Sequence, residues 1–370
     1  MKVLITDIHH GNGGGHVTYV LSLLREMADR CEFTLAAPPT GRLFREASRL
    51  PNVRVLPGLY TSRVFSAVPE ILRLRRFLKA ERFDIAHCNG GADHRHLMAA
   101  SLGLREAPAI VWTKHNTNEV DSFGHRLRAR FGTDLCIAVS DYVSAQLADS
   151  FYRSCAVERI YHGLDLNHYR QASIAEKRKA RVQCFGSELD DCIVFGSVGG
   201  TDIEKGWMLL VQAVSRLKPE LKHRIRIVVA GDPPRPEIEE RVAQLGCADV
   251  VVFPGLVKDV RTVLTACDVG FVLSYKESAS YACYESLALG LPVLVSNAGG
   301  LPESIEHMRE GWMVPVGDID AVEQQVKAIL TNKFCLKTFG ARARVRAEQR
   351  FDVRRFALDT LNAYVKARAI

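Results

Sequence analysis

Two glutamates with seven residues between them, Glu277 and Glu285 in "KESASYACYESLALGLPV" (276–293), are the residues of this chain whose type and spacing most invite chemistry. Glu277 follows the apolar run "VGFVLS" and so stands at the carboxyl end of an expected strand. Glu285 falls on the helix expected from "YACYESLAL". An isolated pair of this kind is ordinarily a solvated loop charge and a carboxylate drawn to a helix dipole. Here the intervening "SASY" is small and leads into a helix start, whose first N–H groups have no partner inside the helix and can meet a sugar hydroxyl or a phosphate. The second carboxylate is expected about two turns along that helix. The two therefore cannot share one group, and their separation suits the two ends of a long ligand.

Two other stretches carry phosphate chemistry. "DIHHGNGGGHVTYVLSLL" (7–24) runs from a strand into Gly11, Gly13, Gly14 and Gly15, and then into a helix expected from near Val17. Such a turn offers backbone N–H groups and a positive dipole end to an anion. The full G-x-G-x-x-G ladder is absent and the second strand closes "LAAPP" with no acidic residue, which argues against a dinucleotide and a nicotinamide oxidoreductase. In "GSVGGTDIEKGW" (196–207), Lys205 precedes Gly206 at the mouth of a helix, where an ammonium can meet a diphosphate. Ten of the twelve histidines lie in residues 1–168, among them His9, His10, His16, His87, His94, His96 and His115. Clusters of this sort invite a metal reading. No H-E-x-x-H spacing is present, however, and neutral imidazoles at strand ends facing a cleft would hydrogen-bond sugar hydroxyls equally well. No metal is expected.

The elements that must position these residues repeat along the whole chain. Short apolar runs, each followed by a helical stretch, occur at 3–8, 33–38, 53–58, 84–89, 109–115 and 135–141, then at 192–200, 225–232, 250–255, 269–274 and 292–300. They are near-continuous Val/Ile/Leu runs, as in strands covered on both faces. Each half reads as a doubly wound parallel sheet, so the fold class is α/β with two Rossmann-like domains facing across a cleft. Apolar periodicity is lost over 161–191. Residues 1–168 are expected to form the N-terminal domain and 169–350 the C-terminal one. Residues 351–370 are expected to pack back on the N-terminal domain as a helix, with Phe356, Leu361 and Tyr364 available to dock.

Composition narrows the partners. At 370 residues the chain exceeds what a single core usually reaches, and no apolar run approaches the roughly 18–20 residues of a spanning helix. "MKVLITDI" reads as a strand, not a signal peptide. None of the ten cysteines forms a C-x-x-C pair, and Cys88, Cys136 and Cys267 interrupt apolar runs as small buried hydrophobes would. Reduced thiols and a cytoplasmic location are expected. The net charge is +7, and residues 63–82 carry six Arg/Lys against two Glu. Within 69–82, Ile71, Leu72, Leu74, Phe77 and Leu78 approach a helical period, with Arg73, Arg75, Arg76 and Lys79 on the other face. That pattern fits an anionic membrane surface. No aromatic-interleaved basic motif points to nucleic acid.

Taken together, these motifs resemble the retaining glycosyltransferases of family 4, which have the GT-B fold. Glu277 and Glu285 match the family's E-x7-E pair, Gly290-Leu291-Pro292 its G-x-P turn, and Gly299-Gly300-Leu301-Pro302-Glu303 its G-G-x-P-E. Lys205-Gly206 matches its E-K-G, Gly13–Gly15 its N-terminal glycine loop, and His162-Gly163-Leu164-Asp165 its N-G-V-D segment. The resemblance covers nearly the whole chain, and its specificity lies in the order of the motifs.

The resemblance implies a nucleotide diphosphate sugar as donor and co-substrate, with no other cofactor. Glu285 would bind the ribose hydroxyls. Glu277 would face the transferring sugar beside the N–H groups of Ala279, Ser280 and Tyr281. Lys205 would neutralise the diphosphate, with Gly14 and Gly15 closing on it, and Gly199, Gly200, Gly231 and Val257 would complete the donor side. His115 would approach the donor sugar as a third catalytic residue. Asn12, His16, His94, Asn116 and Asn118 would meet a glycan or lipopolysaccharide-type acceptor, at the inner face of a bacterial membrane. The chain departs from the family in three places. Gly200 stands where an arginine is usual, with Lys258 or Arg261 as its expected replacement. Ser278-Ala279-Ser280 replaces Gly-Phe-Gly and reshapes the sugar pocket, and Asn116 replaces an aspartate. A phosphorylase, a nucleotide-sugar epimerase and a non-catalytic nucleotide-sugar sensor are the alternatives on the same fold.

Overall fold

The computed structural model describes residues 1–12, 14–61 and 63–370. The chain divides into two compact units, Met1–Gly163 with Val353–Ile370, and Leu164–Asp352. The division thus falls after Gly163, where the sequence expectation stood at 168.

The first unit is built on seven strands: β1 (Lys2–Thr6), β2 (Glu32–Ala37), β3 (Val53–Pro57), β4 (Ile85–Cys88), β5 (Ala109–Lys114), β6 (Leu135–Ala138) and β7 (Ala156–Arg159). They lie in the order β3-β2-β1-β4-β5-β6-β7. All neighbours are parallel. Central strands such as β4 and β6 are buried along their whole length, which is why they read as near-continuous apolar runs. Edge strand β7 is only partly buried and lacks that signature, so the sequence did not reveal it. The last helix, Val353–Ala369, buries Val353, Phe356, Ala357, Thr360, Ala363, Tyr364 and Ala367, a single face of i, i+3, i+4 spacing. It packs on the first unit: Phe356 meets the Tyr19 ring at 5.0 Å, and the Tyr364 hydroxyl lies 2.7 Å from Nδ1 of His87.

The second unit has six strands: β8 (Ile193–Ser197), β9 (Ile225–Val229), β10 (Val251–Val252), β11 (Val269–Val272), β12 (Val293–Ser296) and β13 (Gly311–Val314). Their order is β10-β9-β8-β11-β12-β13, again all parallel. One core runs beneath this sheet around Phe195, Trp207, Phe271 and Trp312. In each sheet the strand order reverses once, between β1 and β4 and between β8 and β11. The crevice beyond the carboxyl ends of the strands at such a reversal is where open α/β sheets take their ligands.

The basic helix, Val64–Glu81, departs from expectation. Leu74 and Leu78 are buried in the first unit, so the apolar face of residues 69–82 is largely a packing face. Arg75 donates to the carbonyls of Ala100 and Leu102 and is part of that packing.

Candidate active site

In the second unit, β8 and β11 pair side by side at the reversal, and the chain leaving each carries the candidate donor residues. Oε2 of Glu277 accepts from Nζ of Lys205 and from Oγ of Ser274, both at 3.2 Å. Lys205 ends a short 3-10 turn, Ile203–Lys205, and Gly206 follows it with φ +72°. A Cβ on Gly206 would stand 1.8 Å from the carbonyl oxygen of Leu273, so only glycine lets this turn lie against the exit of β11. Sequence reasoning placed Lys205 at a helix mouth. The close approach is what joins it to Glu277. Gly299 does the same from the other side, at φ +53°, where a Cβ would meet the carbonyl oxygen of Glu277 at 1.9 Å. The N–H of Gly300 donates to that oxygen at 2.9 Å. The motif G-G-x-P-E therefore works by fixing the backbone of Glu277. The carboxylate side chain is 13% exposed and the lysine 34%, so the ammonium remains open to an anion from solvent.

Ser280 caps the helix Tyr281–Ala288, its hydroxyl accepting from the N–H of Cys283. Ser278 and Ser280 are buried, while Ala279 and Tyr281 are partly exposed. Glu285 lies one turn into this helix, not two, and its side of the helix is covered: the residue is 7% exposed. Oε1 accepts from the Tyr169 hydroxyl at 2.8 Å. Burial pushes the carboxyl up to about 7, the bond from Tyr169 works against this, and the charge of Asp259 adds to it.

The glycine departures have a structural reading. Gly200 adopts φ +102° with open space around it, a conformation that an arginine side chain rarely tolerates. Its N–H donates to Ala230 at 3.2 Å, and Gly231 lies against it. Gly199 leads into this turn directly after β8 and Val198. Arg261 is turned to Glu176, with Nη2 3.5 Å from Oε1, and Lys258 is exposed. Val257 packs beside Val228 and Ala230.

In the first unit, His115 lies just beyond β5 with Nε2 2.9 Å from Oδ1 of Asn89, the residue just beyond β4. The rings of His16 and His115 are 4.2 Å apart, and His162 stands 6.0 Å from His115. His16 belongs to the helix Gly15–Met27, which Gly14 caps and which starts two residues before the expected Val17. Its Nδ1 is 3.8 Å from Oδ2 of Asp7, a fully buried carboxylate. Burial drives His115 well below its ordinary value and His162 to about 3, so both are neutral at neutral pH and suited to polar hydroxyls. Lys114 is buried, and its ammonium donates to the carbonyls of Asn116 and Asn118 at 2.7 Å each, fixing the loop behind His115. Burial lowers it to about 8.

The His9 ring lies 6.0 Å from that of His16 and extends this group, whereas His87, His94 and His96 are held by contacts of their own. His94 is fully buried, bonded through Nε2 to the carbonyl of Gly132 at 2.9 Å and packed 5.1 Å from the Trp112 ring, where no acceptor reaches it. His87 lies within β4 and His96 is buried on the helix Gly91–Ser101, so these three histidines are structural. Asn12 is exposed and accepts from Arg45. Asn116 and Asn118 are exposed, Oδ1 of Asn116 accepting from the N–H of Asn118. Gly13 of the glycine loop lies outside the described residues. Among the described residues no three His, Cys, Asp or Glu side chains come together as a metal ligand set. Sequence reasoning missed Tyr169, Asn89 and Lys114. Asn89 could have been found from its place after β4; Tyr169 carries no local signal.

Residues 13–168 match the family model for Glycosyltransferase Family 4, and residues 186–348 match that for glycosyl transferases group 1. The chain belongs to glycosyltransferase family 4. It is similar to a D-inositol 3-phosphate glycosyltransferase of Kribbella flavida, at 26% identity over 96% of this chain and 91% of the relative. It is also similar to the N-acetyl-alpha-D-glucosaminyl L-malate synthase of Bacillus anthracis, at 26% identity over 95% and 93%. A solved structure of Anabaena Alr3699/HepE in complex with UDP and glucose superposes with a TM-score of 0.83 at 21% identity, covering 98% of each chain. The fold is therefore GT-B, and the protein is a glycosyltransferase.

Proposed function

We propose that this glycosyltransferase moves a hexosyl group from a nucleotide diphosphate sugar to a hydroxyl of a glycan or lipopolysaccharide-type acceptor, with retention at the anomeric carbon and without a metal ion. The observation that carries this reading is the Lys205–Glu277 pair at the reversal of the second sheet. A diphosphate leaving group gains negative charge as the glycosidic bond breaks, and a fixed, reachable ammonium is what that charge requires. Glu277 holds the ammonium until the phosphate arrives, and the start of the helix Tyr281–Ala288 offers N–H groups beside it. Glu285 accepts the ribose hydroxyls. In this reading the anomeric carbon loses the phosphate oxygen and bonds the acceptor oxygen on the same face, and the acceptor proton passes to the departing phosphate oxygen. No protein nucleophile is needed. The neutral imidazoles of His115 and His16, with Asn116 and Asn118, are assigned to sugar and acceptor hydroxyls. Support for the donor class comes from the solved neighbour that holds UDP and glucose. The named relatives act on unlike acceptors, an inositol phosphate and a malate by their names. A thermal-shift screen of nucleotide diphosphate sugars tests the donor: at least one is expected to raise Tm, and a flat screen would contradict the proposal.

The enzyme is further proposed to work at an anionic membrane surface. Among the described residues no helix is long and apolar enough to cross a membrane. On the helix Val64–Glu81, however, Phe65 is 95% exposed, and Val68 and Leu72 continue the same face at i+3 and i+7. Arg63, Arg76 and Lys79 are exposed on the same segment. Phosphatidylglycerol vesicles are expected to sediment the native protein. Phe65→Ser with Arg63, Arg76 and Lys79 changed to Glu is expected to abolish this, with turnover on a soluble acceptor unchanged. Native protein that stays in the supernatant would reject the membrane reading.

A further inference from the structure

One partner of the ribose-binding carboxylate comes from far away in the chain. Tyr169 lies 116 residues before Glu285, in the segment that opens the second unit, and its hydroxyl is hydrogen-bonded to Oε1 at 2.8 Å. Both ends of that bond are tied together by a third group. Arg344, on the helix Phe334–Arg350, donates through Nη1 to the carbonyl of Tyr169 at 2.6 Å and to that of Ala288 at 2.7 Å. Ala288 is the last residue of the helix that carries Glu285. The same guanidinium reaches the carbonyl of Leu166 at 3.3 Å and Oε1 of Glu348 at 2.7 Å. One side chain thus clamps the donor of the hydrogen bond to the element that holds its acceptor. Tyr284, beside Glu285, stacks on Phe351 at 3.8 Å and stops the helix from turning about its axis.

Resting on the donor reading above, we propose that Tyr169 is the positioning residue for nucleotide binding: its hydroxyl orients the Glu285 carboxylate so that the remaining lone pairs receive the ribose hydroxyls. A carboxylate has about four acceptor sites, so one bond from Tyr169 leaves room for two from a ribose. An ionised carboxylate forms stronger bonds to hydroxyl donors than a protonated one, and a protonated one turns one oxygen into a competing donor. The groups that act on this carboxyl are named by the structure. Burial and the charge of Asp259 favour protonation, and the Tyr169 hydroxyl favours ionisation. Asp259 is itself 3.2 Å from Nε2 of His168. Arg344 is spent on carbonyls and Glu348. The sign follows directly: nucleotide affinity rises with pH through the range near 7, and removing the Tyr169 hydroxyl moves that rise to higher pH.

Calorimetric titration of the full chain with UDP, GDP and the 2′,3′-dideoxy analogue of whichever binds, between pH 5.5 and 8.5, tests this. Tyr169→Phe is expected to weaken the ribonucleotide roughly tenfold at pH 7, the scale of one hydrogen bond to a charged group. It is expected to displace the midpoint upward and to leave the dideoxy analogue nearly unaffected. Glu285→Gln is expected to remove the part of the pH dependence that the ribonucleotide does not share with the dideoxy analogue, leaving the part that belongs to the terminal phosphate, whose second pKa is about 6. Equal weakening of both nucleotides, or an unmoved midpoint in Tyr169→Phe, would reduce Tyr169 to a packing role and overturn the inference while leaving the donor reading intact. A native protein that binds neither diphosphate would sink the donor reading, and this inference with it.

Discussion

Lys205→Ala is expected to slow sugar transfer by a factor of roughly 10²–10³, the scale for losing one preorganised electrostatic contact to developing charge. The loss belongs in turnover because the phosphate charge grows between ground state and transition state. Affinity for the nucleoside alone is expected to stay, since no phosphate is involved. Stability is expected to change little, because the Lys205–Glu277 pair is partly open to water and such pairs contribute about 0–1 kcal/mol. Lys205→Arg is expected to recover only part of the rate, a planar fork replacing a compact ammonium beside the Glu277 carboxylate. Steady-state rates on a soluble acceptor decide the matter, and a variant within threefold of native would remove Lys205 from the chemistry.

The second large effect is at Glu285. At 7% exposure it differs from a surface carboxylate, for which alanine would be harmless to the fold. Glu285→Ala is expected to weaken nucleoside diphosphate binding roughly 10–100-fold, the range for hydrogen bonds to a charged group. It also leaves the Tyr169 hydroxyl without its acceptor, which costs about 1–3 kcal/mol of stability, so a drop in Tm should accompany the loss. Glu285→Gln separates the two effects: it keeps the volume and an oxygen for Tyr169 while removing the charge. Binding that is weak in both variants with Tm largely restored in the glutamine form supports the ribose role. Native affinity in the glutamine form would refute it.

Much of the architecture was legible because parallel strands buried on both faces must be written as continuous apolar runs. That signal found eleven of the thirteen strands among the described residues. It missed β7 and β13, which stand at the sheet edges where burial is incomplete or the strand is short. In the second unit Glu277 was legible because it closely follows the end of β11, and Lys205 and Glu285 because they complete motifs with near neighbours in sequence. What was not legible depends on contacts far apart in sequence. Tyr169 reaches Glu285 with nothing local to mark the pair, whereas Asn89, which reaches His115, is marked only by its place after β4. The histidines misled for the opposite reason. Their excess in the first half suggested one surface, but His87, His94 and His96 are spent on internal hydrogen bonds. Gly200, standing where the resembled family usually has an arginine, adopts a φ of +102°, which composition does not encode.

The central claim is that the second unit holds a nucleotide diphosphate sugar through Lys205 and Glu285 and releases the diphosphate without a metal ion. Nucleoside diphosphate release from a panel of nucleotide sugars, followed in excess EDTA with native protein, Lys205→Ala and Glu285→Gln, tests it most directly. One or more donors are expected to be turned over in EDTA at the native rate, and both variants to be impaired, Lys205→Ala in turnover and Glu285→Gln in donor affinity. Release that stops in EDTA and returns with magnesium or manganese would contradict it, and would make Asp7 and the histidines around His16 and His115 the residues to test as metal ligands.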